Sequence, residues 1–146
     1  MKISIKKLTK TATAPTQGSA QAAGYDLYAD IPDGPVTINP GEIKKISTGI
    51  AAAPDENDVA LCLFPRSGLA TKHGVTLINS IGLVDSDYRG EIGVPLVNHG
   101  QFPVTIKHGD RIAQLVVIAI TRAQFEEVEE LPDSERGAGG FGSTGK

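Results

Sequence analysis

The sequence predicts an all-β domain of the sandwich, barrel or jelly-roll kind. Nearly every periodic segment alternates polar and apolar residues or is a short β-branched run. Turn signals separate these segments at Pro32-Asp-Gly-Pro35, Asn39-Pro-Gly41, Asn98-His-Gly100 and Lys107-His-Gly-Asp110. The 17 glycines and 9 prolines are spread along the chain, as many short strands require.

The elements follow in order. Met1 through Leu8 alternates and lacks the apolar stretch of a secretion signal, so residues 2–8 read as a first strand. Strands follow over 24–29, 35–38, 42–50 and 58–64. The last of these holds the apolar run Val59-Ala-Leu-Cys-Leu-Phe64, where Cys62 reads as a buried structural thiol. Only Gly68 through His73 suits a helix, ended by Gly74 as a C-cap. Residues 75–79 and 91–97 read as strands flanking a hairpin, and 103–106 and 112–120 complete the set. Ile112 through Ile120 is apolar on both faces, which suits a central core strand or one at a subunit interface. Near Leu131 the apolar pattern stops. A β domain over 1–130 is therefore expected, followed at 131–146 by a linker and a flexible glycine-rich tail.

Composition narrows the function classes. A chain of 146 residues is long enough for one domain with a substantial core. A net charge of −3 gives no field for a polyanion, which disfavours direct nucleic-acid binding. Cys62 is the only cysteine, so no intramolecular disulfide or multi-cysteine metal site can form. That usage suits a reducing, intracellular and cytoplasmic setting. No apolar run approaches the roughly 20 residues of a membrane helix, so a soluble chain without membrane contact is expected. His73, His99 and His108 each sit in a turn near glycine and form no metal constellation.

Four segments carry chemistry that a structural β protein does not need. In Ala23-Gly-Tyr-Asp-Leu-Tyr28, Asp26 interrupts an apolar strand, as a strand-end acid or as a carboxylate facing a metal or its waters. In Phe64-Pro-Arg-Ser-Gly-Leu69, Arg66 offers a guanidinium fork and Ser67 a donor where a helix begins. In Asn79 through Gly90, an apolar Gly-Leu-Val leads straight into Asp85, which suits a partly enclosed carboxylate able to orient or deprotonate a water. In Gly109-Asp-Arg-Ile-Ala-Gln114, Gln114 is an amide inside the most apolar strand and needs partners. The tail, Arg136-Gly-Ala-Gly-Gly-Phe-Gly-Ser-Thr-Gly-Lys146, combines glycines, hydroxyls, cations and one aromatic ring. Its spacing approaches that of a P-loop, but no helix follows it, so it either closes over a site built elsewhere or is a disordered end.

Read together, these segments resemble the five motifs of the trimeric deoxyuridine triphosphatase (dUTPase) family, in order, over residues 23–145. The resemblance implies a jelly-roll-like fold, a homotrimer with shared active sites, and Mg²⁺-dependent hydrolysis of dUTP to dUMP and pyrophosphate. It further implies that Asp85 activates the attacking water and that Asp26 holds waters of the Mg²⁺ ion. Arg66, Ser67 and Gly68 then resemble phosphate ligands, and Gln114 a phosphate or water ligand. Asn79, Leu83, Val84 and Gly93 resemble the uracil slot, and Tyr88 the residue that packs against deoxyribose. In the tail, Arg136 resembles a late-arriving catalytic cation, Phe141 a ring that stacks on uracil, and Gly142 and Ser143 further substrate contacts. A dCTP deaminase shares this fold but uses a glutamate where this chain has Pro95, which can do no acid–base work. A nucleotide-binding regulator is the other alternative.

The resemblance makes the tail a lid. Deleting residues 136–146 is expected to leave the assembly folded while removing most turnover. Sedimentation mass and a pyrophosphate-release assay on the truncated chain check both halves, and full activity without the tail would refute the lid.

Overall fold

The computed structural model describes residues 1–140. Its strands, in chain order, are β1 (Ile3–Lys7), β2 (Thr16–Gln17), β3 (Tyr25–Tyr28), β4 (Val36–Ile38), β5 (Ile43–Ile46), β6 (Ile50–Pro54) and β7 (Val59–Phe64). After helix α1 (Ser67–His73) come β8 (Val75–Leu77), β9 (Gly82–Val84), β10 (Val94–Asn98), β11 (Val104–Ile106) and β12 (Arg111–Ala119). Among the described residues no helix is long and apolar enough to cross a membrane.

The strands form a five-stranded sheet in the order β2-β3-β12-β7-β9, a three-stranded sheet β5-β10-β8, and the pairs β1-β6 and β11-β4. All of the pairings are antiparallel. Alternation decides what each strand buries. Leu27, Leu61, Leu63 and Leu115 of the large sheet meet Ile46, Val75, Leu77, Val94 and Leu96 of the smaller one in a single core. Ile38 and Ile106 of the β4-β11 pair close one side of it. This is the expected all-β, jelly-roll-like sandwich with one short helix.

Three strands were invisible to periodicity. β2 has two residues, too few for a period, and β9 has three. β6 was merged with its neighbour, because the expected strand over 42–50 is broken at Gly49. There φ is +64°, and a Cβ would overlap Asp30. Beyond that turn the chain leaves β10 and pairs instead with β1.

The segment 79–90 is not the simple hairpin the sequence suggests. β8 and β10 do pair, with Leu77 opposite Leu96. Between them, however, the chain crosses to the other sheet and inserts β9 beside β7, with Val84 opposite Leu61. Ser80, at φ 62°, makes the corner. Gly82 fits β9 against β7 because a Cβ there would lie 3.0 Å from that of Leu63. The helix behaves as expected: Gly74 is in the left-handed conformation, and its N–H donates to Ala70 O.

Buried polar groups fix the loops that flank the sheets. Asn98 is fully buried, and its amide donates to Ile38 O at 2.9 Å and Phe102 O at 2.8 Å. Its carbonyl accepts from Gly100 N at 2.8 Å, so every strong hydrogen-bonding group of the side chain but one lone pair is used. Asp30 is buried too, and accepts from the hydroxyls of Thr9 and Thr11. His108, expected as a plain surface turn residue, places Nδ1 3.6 Å from Asp30.

Burial alone would push the Asp30 carboxyl up, but the hydroxyls of Thr11 and Thr9 and the nearby His108 outweigh it, leaving it below its ordinary 3.8. A depressed carboxylate stabilises the fold above its ordinary value, and that contribution is lost as pH falls through the folded value. Thr11→Val is therefore expected to destabilise the chain at neutral pH, with the difference from wild type shrinking below about pH 3.8. Urea unfolding across a pH series checks this. A difference independent of pH would show that the hydroxyl does not act through the carboxylate.

Candidate functional site

One end of the large sheet gathers charge around Asp26. On β3, Leu27 points into the core, while Asp26 and Tyr28 share the opposite face. Asp26 is nonetheless 5% exposed, because two arginines cover it. Arg111 Nη1 donates to Asp26 Oδ2 at 3.0 Å, and Arg66 Nε lies 3.4 Å from Oδ1. Arg66 Nη1 also donates to Arg111 O at 2.9 Å, so the three segments lock together. Among the described residues Oδ1 has no hydrogen-bond partner, though Arg66 Nε faces it, which leaves one buried carboxylate oxygen able to accept. Gln114 sits on the next rung, opposite Asp26 on one side and Phe64 on the other. It is half-buried rather than fully enclosed. Ser67 and Gly68 open α1 beside Arg66 and are exposed, with open space where a Gly68 Cβ would stand.

The adjoining cavity is large, about 640 Å³, and lined by Tyr28, Arg66, His73, Thr105 and Arg111 among others. Phosphate oxygens would find two guanidinium groups there, both already turned toward one carboxylate.

A second site forms around the β9 edge. Leu83, Val84, Asp85, Tyr88 and Gly93 line one cavity of about 240 Å³, with Lys45, Glu91 and Ile92. Gly93 keeps the floor open, and a Cβ on it would overlap Lys45 Cε. The far wall is pinned from behind. Glu91 accepts from Gly49 N at 2.8 Å and from the Ser47 hydroxyl, while the Thr48 hydroxyl donates to Ile92 O. Tyr88 folds over the Gly90 turn and donates to Glu91 O at 3.2 Å. Asp85 is exposed at the rim, not partly enclosed as the sequence suggests. Leu83 is 68% exposed, a high value for a strand leucine. Asn79 stands outside this cavity, on the turn between β8 and β9.

The two sites do not meet within one chain. Gln114 is level with Phe64 on β7, whereas Val84 is level with Leu61. Asp85 continues toward Val59 and Ala60, with which it lines a further open cavity. From Phe64 to Ala60 the strand rises by about 13 Å, at ~3.3 Å per residue. Arg136 lines neither of the two cavities. Residues 121–138 are exposed throughout, and the side chain of Arg136 bonds within the tail, to Gly139 O at 2.8 Å. Phe141, Gly142 and Ser143 lie outside the described residues.

Sequence reasoning passed over Arg111 and Lys45. Arg111 and Gln114 are three apart, which in a regular strand puts them on opposite faces. A bulge between Arg111 and Ala113 shifts the register, so Arg111 pairs with Tyr28 and joins the Asp26 face. Only a bulge could reveal this, and nothing local announces one. Lys45 enters the cavity through the pairing of β5 with β10, a contact with no sequence signal.

Comparison with known proteins bears on both sites. The family model described as dUTPase matches residues 10–145. A deoxyuridine 5'-triphosphate nucleotidohydrolase of Nautilia profundicola is 52% identical over 146 residues, covering 100% of both chains. One of Anaeromyxobacter sp. is 55% identical over 126 residues, 86% of this chain and 82% of that one. Among solved structures, the Staphylococcus bacteriophage 80alpha dUTPase with dUPNHPP superposes with a TM-score of 0.84 at 28% identity, over 99% of each chain. The match runs through the Asp26 cluster, the β9 cavity and the tail alike, and by it the chain belongs to the dUTPase family.

Proposed function

We propose that the chain hydrolyses dUTP to dUMP and pyrophosphate, using Mg²⁺, at sites shared between the copies of a homotrimer. Such an activity keeps uracil out of DNA and supplies dUMP for thymidylate synthesis. The observation that carries the reading is the small cavity at β9, lined by Leu83, Val84 and Asp85 and by Glu91, Ile92 and Gly93. The relatives named for dUTP hydrolysis support the same reaction. Pro95 on β10 offers no titratable group for a deaminase.

Uracil differs from thymine by one methyl, which a loose apolar pocket discriminates by only about 1–3 kcal/mol. A slot between Leu83-Val84 and Gly93 excludes that methyl sterically instead. Tyr88 then lies against the sugar and leaves no room for a 2′-hydroxyl. The polar edge of the base pairs with main-chain groups there. Arg66, Ser67, Gly68 and Gln114 take the phosphates. Asp85 removes a proton from water, whose oxygen bonds to the α-phosphorus as the bridging bond to the β-phosphate breaks and pyrophosphate leaves. Arg136 and the tail, with Phe141, Gly142 and Ser143, close over the nucleotide.

The residues fit a divalent ion that arrives with the substrate. Among the described residues no group of three or more His, Cys, Asp or Glu could hold a metal alone. Mg²⁺ keeps several waters and binds through substrate phosphates, so it needs few protein ligands. The free Oδ1 of Asp26 is a buried acceptor suited to such a water. Bound there, the ion would offset charge on the phosphate oxygens.

The separation of the two sites supports sharing between copies. A nucleotide with its base at β9 of one chain cannot lay its phosphates on the Asp26 cluster of the same chain without crossing the sheet. A second copy supplies that cluster.

Pyrophosphate release from dUTP, dTTP, dCTP and UTP with Mg²⁺ tests the reading, and strong preference for dUTP is expected. Similar rates on dTTP would sink the slot. Asp85→Asn is expected to cut kcat by about 10²-fold or more while nucleotide still binds, since only proton transfer is lost. Gly93→Ala is expected to fold, because Lys45 can move aside. It should weaken binding of a non-hydrolysable dUTP analogue by about tenfold or more, some 1.4 kcal/mol. Calorimetric titration reads both variants, and unaltered affinity in Gly93→Ala would place the base elsewhere.

A further inference from the structure

The tail leaves the domain beside the turn that carries Asp85. Ile120 N donates to Asp58 O at 2.9 Å, the last backbone bond before the exposed segment. Two residues on, Arg122 spreads its guanidinium over the same corner. Its Nε donates to Asp58 Oδ1 at 3.1 Å and its Nη2 to Asn57 O at 2.7 Å. Asn57 O accepts a second bond, from Ser86 Oγ at 3.2 Å. Ser86 directly follows Asp85 and is held from its other side, where Arg89 Nη1 donates to Ser86 O at 2.8 Å. The turn is closed by Tyr88 N donating to Asp85 O at 3.1 Å. Asn57, Asp58, Asp85, Ser86, Ile120 and Arg122 all line one open cavity.

We propose that Arg122 is a positioning residue that ties the root of the tail to the Asp85 turn through the shared carbonyl of Asn57. The inference rests on Asp85 activating water and on the tail closing over nucleotide. A tail that must reach a site elsewhere depends on where its root is fixed, because the reach of a flexible chain of about twenty residues is counted from that point. A carboxylate that must meet a water depends on its own turn to within a fraction of an ångström. One carbonyl with two donors serves both. The chemistry favours arginine, because Nε and Nη2 hold two donors in a fixed plane, one for a carboxylate and one for a carbonyl, whereas the donors of an ammonium rotate about a single nitrogen. The contacts are exposed, and exposed ion pairs add little to stability. Their effect belongs in geometry and turnover.

The test uses the full chain and the variants Arg122→Ala, Arg122→Lys, Ser86→Ala and the Arg122→Ala/Ser86→Ala double. Arg122→Ala is expected to lower kcat on dUTP by about tenfold, with Tm close to wild type, and Arg122→Lys to restore only a small part. Because both side chains hold one carbonyl, the double variant should lose less than the product of the single losses. Cleavage at Glu126 to Glu130 by a glutamate-specific protease should speed up several-fold in Arg122→Ala. Unchanged kcat and cleavage, strictly multiplicative losses, full rescue by lysine, or a loss matched by a large fall in Tm would each overturn the proposal. The proteolysis does not depend on substrate. If the wild-type chain fails to hydrolyse dUTP, the functional reading falls, while the cleavage rates still report on the anchor.

Discussion

Asp26 faces two guanidinium groups across a strand, and the arrangement of one end of the molecule follows from that triangle. The three residues come from β3, the turn into α1 and the start of β12. None of these segments is close to the others in sequence. A carboxylate buried to this degree must be paired, or its charge would be too costly to keep. Seating β12 between β3 and β7 brings Arg111 and Arg66 together at Asp26. Pairing in the sheet and assembly of this charged end are one event. The same constraint explains the bulge in β12, which spends one residue to turn Arg111 onto the right face.

The second constraint is the length of the sheet. β9 is short and lies along β7 so that its tip points away from Phe64. The strand that sets Asp85 and the strand that sets Asp26 both border the central pair β7-β12, yet their functional ends diverge. Extended backbone is stiff over such distances, and no side chain spans them. Leu83 standing largely in solvent agrees with this division.

Much of this was readable in the residues. The core followed from alternation, as Val36 and Ile38 against Thr37 illustrate, and the helix ended where Gly74 required. The chemistry-bearing segments announced themselves as acids and cations placed where a plain β protein would have none. What could not be read was whatever depends on a crossing between sheets. The excursion of β9 rests on Ser80 in a left-handed corner and on Gly82 packing against Leu63, neither of which leaves a period. Asp85 looked enclosed because an apolar run precedes it, but that run faces two ways and its last residue lies at an edge. Lys45 and Arg122 act through partners more than 40 residues away, and a charge in an exposed strand or loop has no local signature of its partner.

The distance between the two ends has a genetic meaning. A chain damaged only at Asp26 retains an intact Asp85 edge, and a chain damaged only at Asp85 retains an intact Asp26 cluster. Where sites are composed from different copies, two such defective alleles complement one another in mixed assemblies. A chain damaged at both ends complements neither.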